Sequence, residues 1–263
     1  MSATSEDLAL ALELADLADS ITIPRFRAAD LVVETKPDLT PVSEADTAVE
    51  RAIRARLADA RPGDAVVGEE YGESGDADGG RRWIIDPIDG TKNYVRGIPV
   101  WGTLLALHEG DQATIGVVSA PALGRRWWAS AGAGAFGADG LSEEPRRLRV
   151  SAVRALSDAQ LCISGFDGWE EHGRLDALIE LARQCWRTRG FGDFWTYMMI
   201  AEGVAEVGCE PIVSLWDLAA PQVIVEEAGG TFTDLAGVRT ASGGDALATN
   251  GLLHEQALAL VGR

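Results

Sequence analysis

Residues 83–93 read Trp-Ile-Ile-Asp86-Pro-Ile-Asp89-Gly-Thr91-Lys-Asn, a short apolar strand followed by two carboxylates and a helix start. The proline stiffens the turn between Asp86 and Asp89, so the two carboxylates are placed to bracket a hard divalent cation that prefers oxygen ligands. Gly90 and Thr91 follow at the expected helix start, where backbone N–H groups and the helix dipole favour an anion. The segment therefore predicts metal ligands beside a phosphate cradle, although an Asp-rich turn that only caps a helix has the same residues.

Two other segments bring acidic residues to the ends of predicted elements. The strand Ala65-Val-Val runs into Gly68, Glu69 and Glu70, and Asp217 follows Trp216 at a predicted helix N-terminus. Alternatively, the glutamates are a solvated surface pair and Asp217 is an N-cap. Together with the carboxylates of residues 86 and 89, these side chains suit a site for two or three Mg²⁺ ions.

Periodicity and turn residues predict alternating helices and strands over most of the chain. A cap at Thr4 or Ser5 and the capping-box sequence Ser43-Glu-Ala-Asp46 predict the starts of the first two helices. Further helices are predicted at 175–182, 196–205, 218–227 and 252–261, and strands at 65–67, 83–85, 101–107, 113–118, 126–130, 161–164, 205–209, 231–233 and 246–248. The strands between 101 and 130 favour an antiparallel meander, and 72–80 a mobile surface loop. Two sheets with helical layers between and around them would bury the apolar faces.

Composition excludes several classes of protein. The chain has 263 residues and a formal charge of −18, which argues against nucleic-acid or anionic-membrane binding. Its apolar runs are shorter than the roughly 20 residues that span a bilayer, and the N-terminus lacks the positive region of an export signal, so a cytoplasmic location is expected. Three widely spaced cysteines are expected as reduced core residues. Three scattered histidines do not have the spacing of a zinc hydrolase.

The motifs taken together resemble those of the inositol monophosphatase family. They occur in the family's order and cover nearly the whole chain: Thr40 to Asp46, Gly68-Glu69-Glu70, Asp86-Pro-Ile-Asp89-Gly-Thr91, Trp216-Asp217-Leu-Ala-Ala and Glu227-Ala-Gly-Gly230. The resemblance implies an α/β (α+β) fold built as a layered αβαβα sandwich, and a lithium-sensitive, Mg²⁺-dependent phosphomonoesterase that is usually dimeric. It also implies one domain over 1–263, with halves at about 1–150 and 151–263.

The resemblance further assigns the metal ligands. It makes Glu69, Asp86 and the main-chain carbonyl of Ile88 ligands of one ion, and Asp86, Asp89 and Asp217 ligands of a second. This arrangement agrees with two-metal chemistry, in which both the attacking and the leaving oxygen are stabilised.

Water activation and phosphate binding are implied for neighbouring residues. Asp46 would orient waters around a weaker third ion, Glu69 and Thr91 would position the attacking water, and Asp89, Gly90 and Thr91 would hold the phosphate. Water is the expected nucleophile, without a covalent intermediate. An aspartyl nucleophile at Asp86 or Asp89 is the alternative.

A second set of residues is expected to bind the alcohol part of the substrate: Arg189, Gly192, Asp193, Phe194, Glu210 and Asp217. Where inositol-specific members carry small residues, this chain has Asp193 and two aromatic residues, and Glu210 lies at the position whose family equivalent contacts the leaving group. Asp193 as a helix cap and Phe194 as a core residue are the structural alternatives. Two carboxylates suit a cationic substrate better than a neutral polyol.

The Gly192-Asp-Phe element and the run from Thr35 to Val42 are similar to the histidinol-phosphate phosphatase branch of the family. This branch implies hydrolysis of a small phosphorylated amino alcohol, histidinol phosphate, in the penultimate step of histidine synthesis. The alternatives are an inositol or sugar monophosphatase, a bisphosphatase and a non-catalytic metal-binding regulator. A bisphosphatase would need more basic side chains near the acidic motifs to bind a second phosphate. Such a regulator would be expected to have lost a metal ligand.

Overall fold

A computed structural model describes residues 4–37, 39–75 and 80–262. Its helices are α1 (Ser5–Arg25), α2 (Glu44–Ala60), α3 (Thr91–Arg96), α4 (Asp167–Glu171), α5 (Leu175–Gln184), α6 (Asp193–Ala201), α7 (Leu215–Glu227) and α8 (His254–Val261). Its strands are β1 (Val33–Thr35), β2 (Pro41–Ser43), β3 (Ala65–Gly68), β4 (Gly72–Ser74), β5 (Arg81–Asp89), β6 (Gly102–Glu109), β7 (Gln112–Ala120), β8 (Arg125–Ser130), β9 (Gly134–Ala138), β10 (Arg146–Arg147), β11 (Gln160–Cys162), β12 (Arg187–Arg189), β13 (Val207–Glu210), β14 (Thr231–Thr233) and β15 (Ala246–Thr249).

Two sheets and three helical layers form the sandwich. Strands β3 to β10 make an eight-stranded sheet in the order β10-β9-β8-β7-β6-β5-β3-β4, and β11 to β15 make a five-stranded sheet in the order β12-β11-β13-β15-β14. Helices α1 and α2 pack on one face of the larger sheet, α6 and α7 lie between the sheets, and α5 and α8 cover the outer face of the smaller sheet. The predicted αβαβα architecture is therefore confirmed.

Local signals placed the first two helices correctly. The Thr4 hydroxyl accepts a hydrogen bond from the Asp7 N–H, and the Asp7 carboxylate accepts one from the Thr4 N–H, which completes a capping box. Ser43 and Asp46 repeat this arrangement at the start of α2. Reciprocal caps satisfy backbone donors that a helix end otherwise leaves free.

Several boundaries differ from the predictions. The strand expected at 83–85 runs from Arg81 to Asp89, because its pairing with β6 continues to Asp89, beyond the residues 82–85 that pair with β3. The helix expected at 196–205 is α6, which ends at Ala201 before a turn at Gly203 with φ 73°. Residues 72–74 of the predicted loop form β4, and 76–79 lie outside the described residues. Cys185 is half-buried, whereas Cys162 and Cys209 are core residues.

None of the helices in the described ranges is long and apolar enough to cross a membrane.

Candidate metal and phosphate site

Three carboxylates from two elements converge beside the larger sheet. Asp86 and Asp89 lie on β5 and Asp217 on α7, and each offers an oxygen that lies within 4.8 Å of the others. Side chains three residues apart on a regular strand point to opposite faces. The register of β5 against β6 shifts between Asp86 and Asp89, and this irregularity lets both side chains face Asp217.

Asp217 is held in place by a capping box of its own helix. The N-cap of α7 is Ser214, whose N–H donates to Asp217 Oδ2 over 2.9 Å. The N-cap alternative for Asp217 is therefore wrong in position, because Asp217 is the third helical residue. The cap fixes the carboxylate while leaving it within reach of the two aspartates of β5.

Asp89 connects the two halves of the chain. Its Oδ2 accepts a hydrogen bond of 2.5 Å from the N–H of Phe194, in the first turn of α6. The ring of Phe194 is 1% exposed and packs near Trp127 and Trp195, with centroids 6.1 and 6.0 Å away. The backbone of Phe194 therefore faces the cluster, while its side chain lies in the core.

The cluster of Asp86, Asp89 and Asp217 carries mutually repelling charges. Burial, with the charges of neighbouring carboxylates, raises the pKa of Asp86 and of Asp89 well above the ordinary value. Burial also raises the pKa of Asp217 to about 6. Because buried like charges disfavour ionisation, an oxygen-seeking divalent cation fits this donor set: its charge offsets both the repulsion and the lost hydration.

We expect a divalent cation to stabilise this protein more at pH 8 than at pH 5. The raised pKa values mean that the folded state binds these protons more tightly than the unfolded state, so metal-free stability falls as the pH rises through about 6. A free cation concentration of 100 times Kd adds about 2.7 kcal/mol to the free energy of unfolding. For a chain of this size each kcal/mol raises the Tm by roughly 2 to 4 °C. Melting curves with Mg²⁺ and with EDTA at both pH values measure the difference. An equal difference at both would contradict the expectation.

Glu69 lies near this cluster but faces a lysine. Lys36, between β1 and β2, places its Nζ 2.7 Å from Glu69 Oε1 and 2.7 Å from Glu70 Oε1. Burial opposes charging of Lys36, yet the two hydrogen bonds raise its pKa above the ordinary value. Burial likewise raises the pKa of Glu70 to about 7. No role was predicted for Lys36 from the sequence, where it is one residue of the run from Thr35 to Val42.

The Thr91 hydroxyl joins the helix start to two other predicted residues. Its Oγ1 lies within hydrogen-bonding distance of the Ile88 carbonyl, at 2.9 Å, and of Asp46 Oδ1, at 3.1 Å. The Ile88 N–H donates to Asp86 Oδ1 over 3.0 Å. Gly90 is the N-cap of α3 with φ 80°, a left-handed conformation that favours glycine. The structure thus brings Asp46, Ile88, Gly90 and Thr91 together at the start of α3.

Beside this site lies a second, smaller acidic group, Asp193 and Glu210. The Ser164 hydroxyl donates to Glu210 and accepts from the Asp193 N–H over 3.1 Å. Asn93 Nδ2 donates to Asp193 Oδ2 over 3.2 Å. Burial raises the pKa of Glu210 to about 8 and that of Asp193 to about 6. Neither Ser164 nor Asn93 was predicted as a site residue. Ser164 lies outside the motifs, and Asn93 ends the stretch 83–93 without a role in metal or phosphate binding.

Gly192 and Arg189, also expected to bind the alcohol part of the substrate, lie at the start of α6 and on β12. Gly192, with φ 70°, is the N-cap of α6, so Asp193 is its first residue and the alternative of Asp193 as a helix cap is wrong. A Cβ on Gly192 would lie 3.0 Å from Ser164 Oγ, so the turn needs a glycine. Arg189 is exposed on β12, and its Nη1 donates to the Thr188 carbonyl over 2.8 Å. Within the described part of the chain it makes no hydrogen bond to Asp193 or Glu210.

Comparisons with known proteins give consistent results. The profile of the inositol monophosphatase family matches residues 4–263. A histidinol-phosphatase of Streptomyces coelicolor is 58% identical over 257 residues, which cover 96% of both chains. A histidinol-phosphatase of Mycobacterium tuberculosis is 54% identical over 254 residues, again 96% of both. The solved structure of an extragenic suppressor protein from Bartonella henselae is similar with a TM-score of 0.89, at 29% identity and 98% coverage of each chain.

Proposed function

The chain belongs to the inositol monophosphatase family, and from this premise we propose that it is a phosphomonoesterase that hydrolyses histidinol phosphate to histidinol and phosphate. The observation that carries the proposal is the pair Asp193 and Glu210 beside the cluster of Asp86, Asp89 and Asp217, to which it is joined by the hydrogen bond from the Phe194 N–H to Asp89. The cluster suits a cation that binds a phosphate ester, and the pair suits a cationic alcohol. The high identity to two histidinol-phosphatases supports this substrate.

Mg²⁺ is the proposed cofactor, held by Glu69, Asp86, Asp89, Asp217 and the Ile88 carbonyl. When bound, the ions would supply charge stabilisation for the phosphate and lower the pKa of a water molecule. Carboxylate and carbonyl oxygens are the donors that Mg²⁺ prefers. Because Lys36 contacts Glu69 Oε1 in the structure, the other carboxylate oxygen, Oε2, would be the one that Glu69 offers to an ion.

The residues around the phosphate would orient it and the attacking water. The Thr91 hydroxyl, which faces Asp46 and the Ile88 carbonyl, would hold the water together with Glu69. Asp46 would order further waters, and the backbone of Gly90 and Thr91 at the start of α3 would face the phosphate. In this arrangement water attacks phosphorus directly, and no aspartyl intermediate forms.

Recognition of the alcohol is assigned to Asp193 and Glu210, next to the metal and phosphate residues. Histidinol phosphate carries an ammonium group and an imidazole that titrates near neutral pH, so it can donate charge-assisted hydrogen bonds to both Asp193 and Glu210. The backbone of Gly192 and Phe194 would frame this region. Arg189, which is exposed on β12, is proposed to stabilise the loop that leads to Asp193.

A phosphate-release assay tests the proposed function and its metal requirement. We expect kcat/KM for histidinol phosphate to exceed that for inositol 1-phosphate and fructose 1,6-bisphosphate by at least about tenfold, since a charge-assisted contact contributes about 1.5 to 3 kcal/mol. EDTA should abolish release and Mg²⁺ should restore it. A preference for inositol 1-phosphate would replace histidinol phosphate as the substrate, and activity that survives EDTA would overturn the metal-dependent mechanism. Dimerisation and lithium inhibition stay predictions.

A further inference from the structure

The turn that carries Glu69 is fixed from two sides. The Glu69 N–H donates to the Ile85 carbonyl over 3.2 Å, which ties this residue to the strand position just before Asp86. The next N–H, that of Glu70, donates to Glu50 Oε2 over 2.8 Å. Both peptide groups that flank the Glu69 Cα are therefore restrained, one by β5 and the other by a side chain of α2.

Glu50 is a buried carboxylate with three donors around it. Its side chain is 0% exposed, and it also accepts from the Tyr71 N–H over 3.2 Å and from Arg54 Nε over 2.7 Å. A buried ion persists only where its partners compensate the lost hydration. An apolar residue here would leave two backbone N–H groups of the turn without an acceptor, so the position requires a side chain with acceptor oxygens.

Gly68 leaves the space that the Glu50 carboxylate occupies. A Cβ built on Gly68 would lie 2.0 Å from Glu50 Oε1 and 2.7 Å from Oε2, distances that atoms in proteins do not adopt. Gly68 has no left-handed φ, so the close approach of Glu50 is the reason for glycine here. The strand end, the buried carboxylate and the turn are thus built as one unit.

We propose that Glu50 is a positioning residue for the metal centre, which sets the location of Glu69 relative to Asp86 through the backbone of the turn. This inference rests on the proposed function, in which Glu69 is a metal ligand. Oxygen ligands must lie within about 0.2 Å of their preferred distance, and loss of a group that orients a ligand typically costs 10- to 100-fold in metal affinity.

The variant Glu50→Gln tests the proposal with little change in shape. The amide keeps one acceptor and puts an NH2 group where a carboxylate oxygen received a donor, so at least one of the three hydrogen bonds is lost. Asp59→Asn is the matched control, because it removes one carboxylate charge from the exposed end of the same helix. Isothermal titration with Mg²⁺ is measured for wild type and both variants, together with kcat and the Mg²⁺ dependence of histidinol phosphate hydrolysis.

We expect Glu50→Gln to weaken Mg²⁺ binding by about 10-fold or more, with kcat at saturating Mg²⁺ within about threefold of wild type, and Asp59→Asn to change neither. A lower Tm with Mg²⁺ affinity equal to that of the control would show a purely structural role and overturn the inference alone. A wild-type chain that takes up no Mg²⁺ would overturn the proposed function with it. If Glu50→Gln does not fold, Glu50→Asp gives the same comparison, since it keeps the charge beside Arg54 but withdraws it from the turn.

Discussion

Replacing Asp86 by Asn is expected to reduce phosphate release by about 1000-fold or more while leaving the chain folded. Asp86 is the proposed ligand of two ions, and its neutral amide would weaken both. Metal ions contribute several kcal/mol of transition-state stabilisation, and about 1.4 kcal/mol corresponds to tenfold in rate. The Asn Oδ1 can still accept the Ile88 N–H, so the local backbone is retained.

The same substitution should raise the Tm of the metal-free protein. Burial, with the charges of neighbouring carboxylates, holds the pKa of Asp86 well above its ordinary value, so a neutral amide avoids the free-energy cost of either ionising or protonating this group in the folded state. Lost activity together with greater stability in EDTA separates a damaged metal centre from a damaged fold. Near-normal turnover at limiting Mg²⁺ would remove Asp86 from the ligand set. Asp89→Asn is less informative, because Asp89 also accepts the Phe194 N–H.

The second large effect is expected at Asp193, where Asn should raise KM for histidinol phosphate by about 10- to 100-fold and leave KM for inositol 1-phosphate nearly unchanged. A hydrogen bond to a charged group contributes about 1.5 to 3 kcal/mol, which corresponds to this range. Asn is preferred to Ala because Asp193 has φ 51°, a left-handed conformation that Asn tolerates.

Kinetics with both esters distinguish recognition from structure. Asp176→Asn is the control, since this aspartate is exposed on α5 in the outer helical layer. Equal losses for the two esters would show that Asp193 only supports the turn between Ser164 and Asn93. Glu210→Gln should act in the same direction as Asp193→Asn, because burial of both carboxylates leaves a bound cation as a favourable partner.

The sequence predicted those parts of the fold and site that depend on local signals. Capping boxes at Thr4 and Ser43 need only four consecutive residues, and the apolar strands of the meander need only alternation and turns. The convergence of Asp86 and Asp217 was expected from the family motifs. The register shift between Asp86 and Asp89, which turns both side chains to the same face, depends on pairing with β6, and Pro87 is the one local signal for it.

Other contacts could not be predicted because they join distant segments. In the sequence Glu50 is an ordinary charged residue of a predicted helix. Its contacts with Gly68 and the following turn arise only when α2 packs against the end of β3. Lys36 reaches Glu69 across 33 positions of the chain, and Asn93 reaches Asp193 across 100. Such pairs follow from the packing of layers, which periodicity within one element does not specify.

The hydrogen bond from Phe194 to Asp89 has a consequence for specificity. Asp193, which would recognise the alcohol, is one peptide away from Phe194, and Asp89 would bind the ion that holds the ester's phosphate. A single carboxylate would thus connect the two proposed subsites, so that binding at one affects the alignment of the other. Discrimination among esters and dependence on cation concentration should consequently vary together in any variant that displaces Asp89.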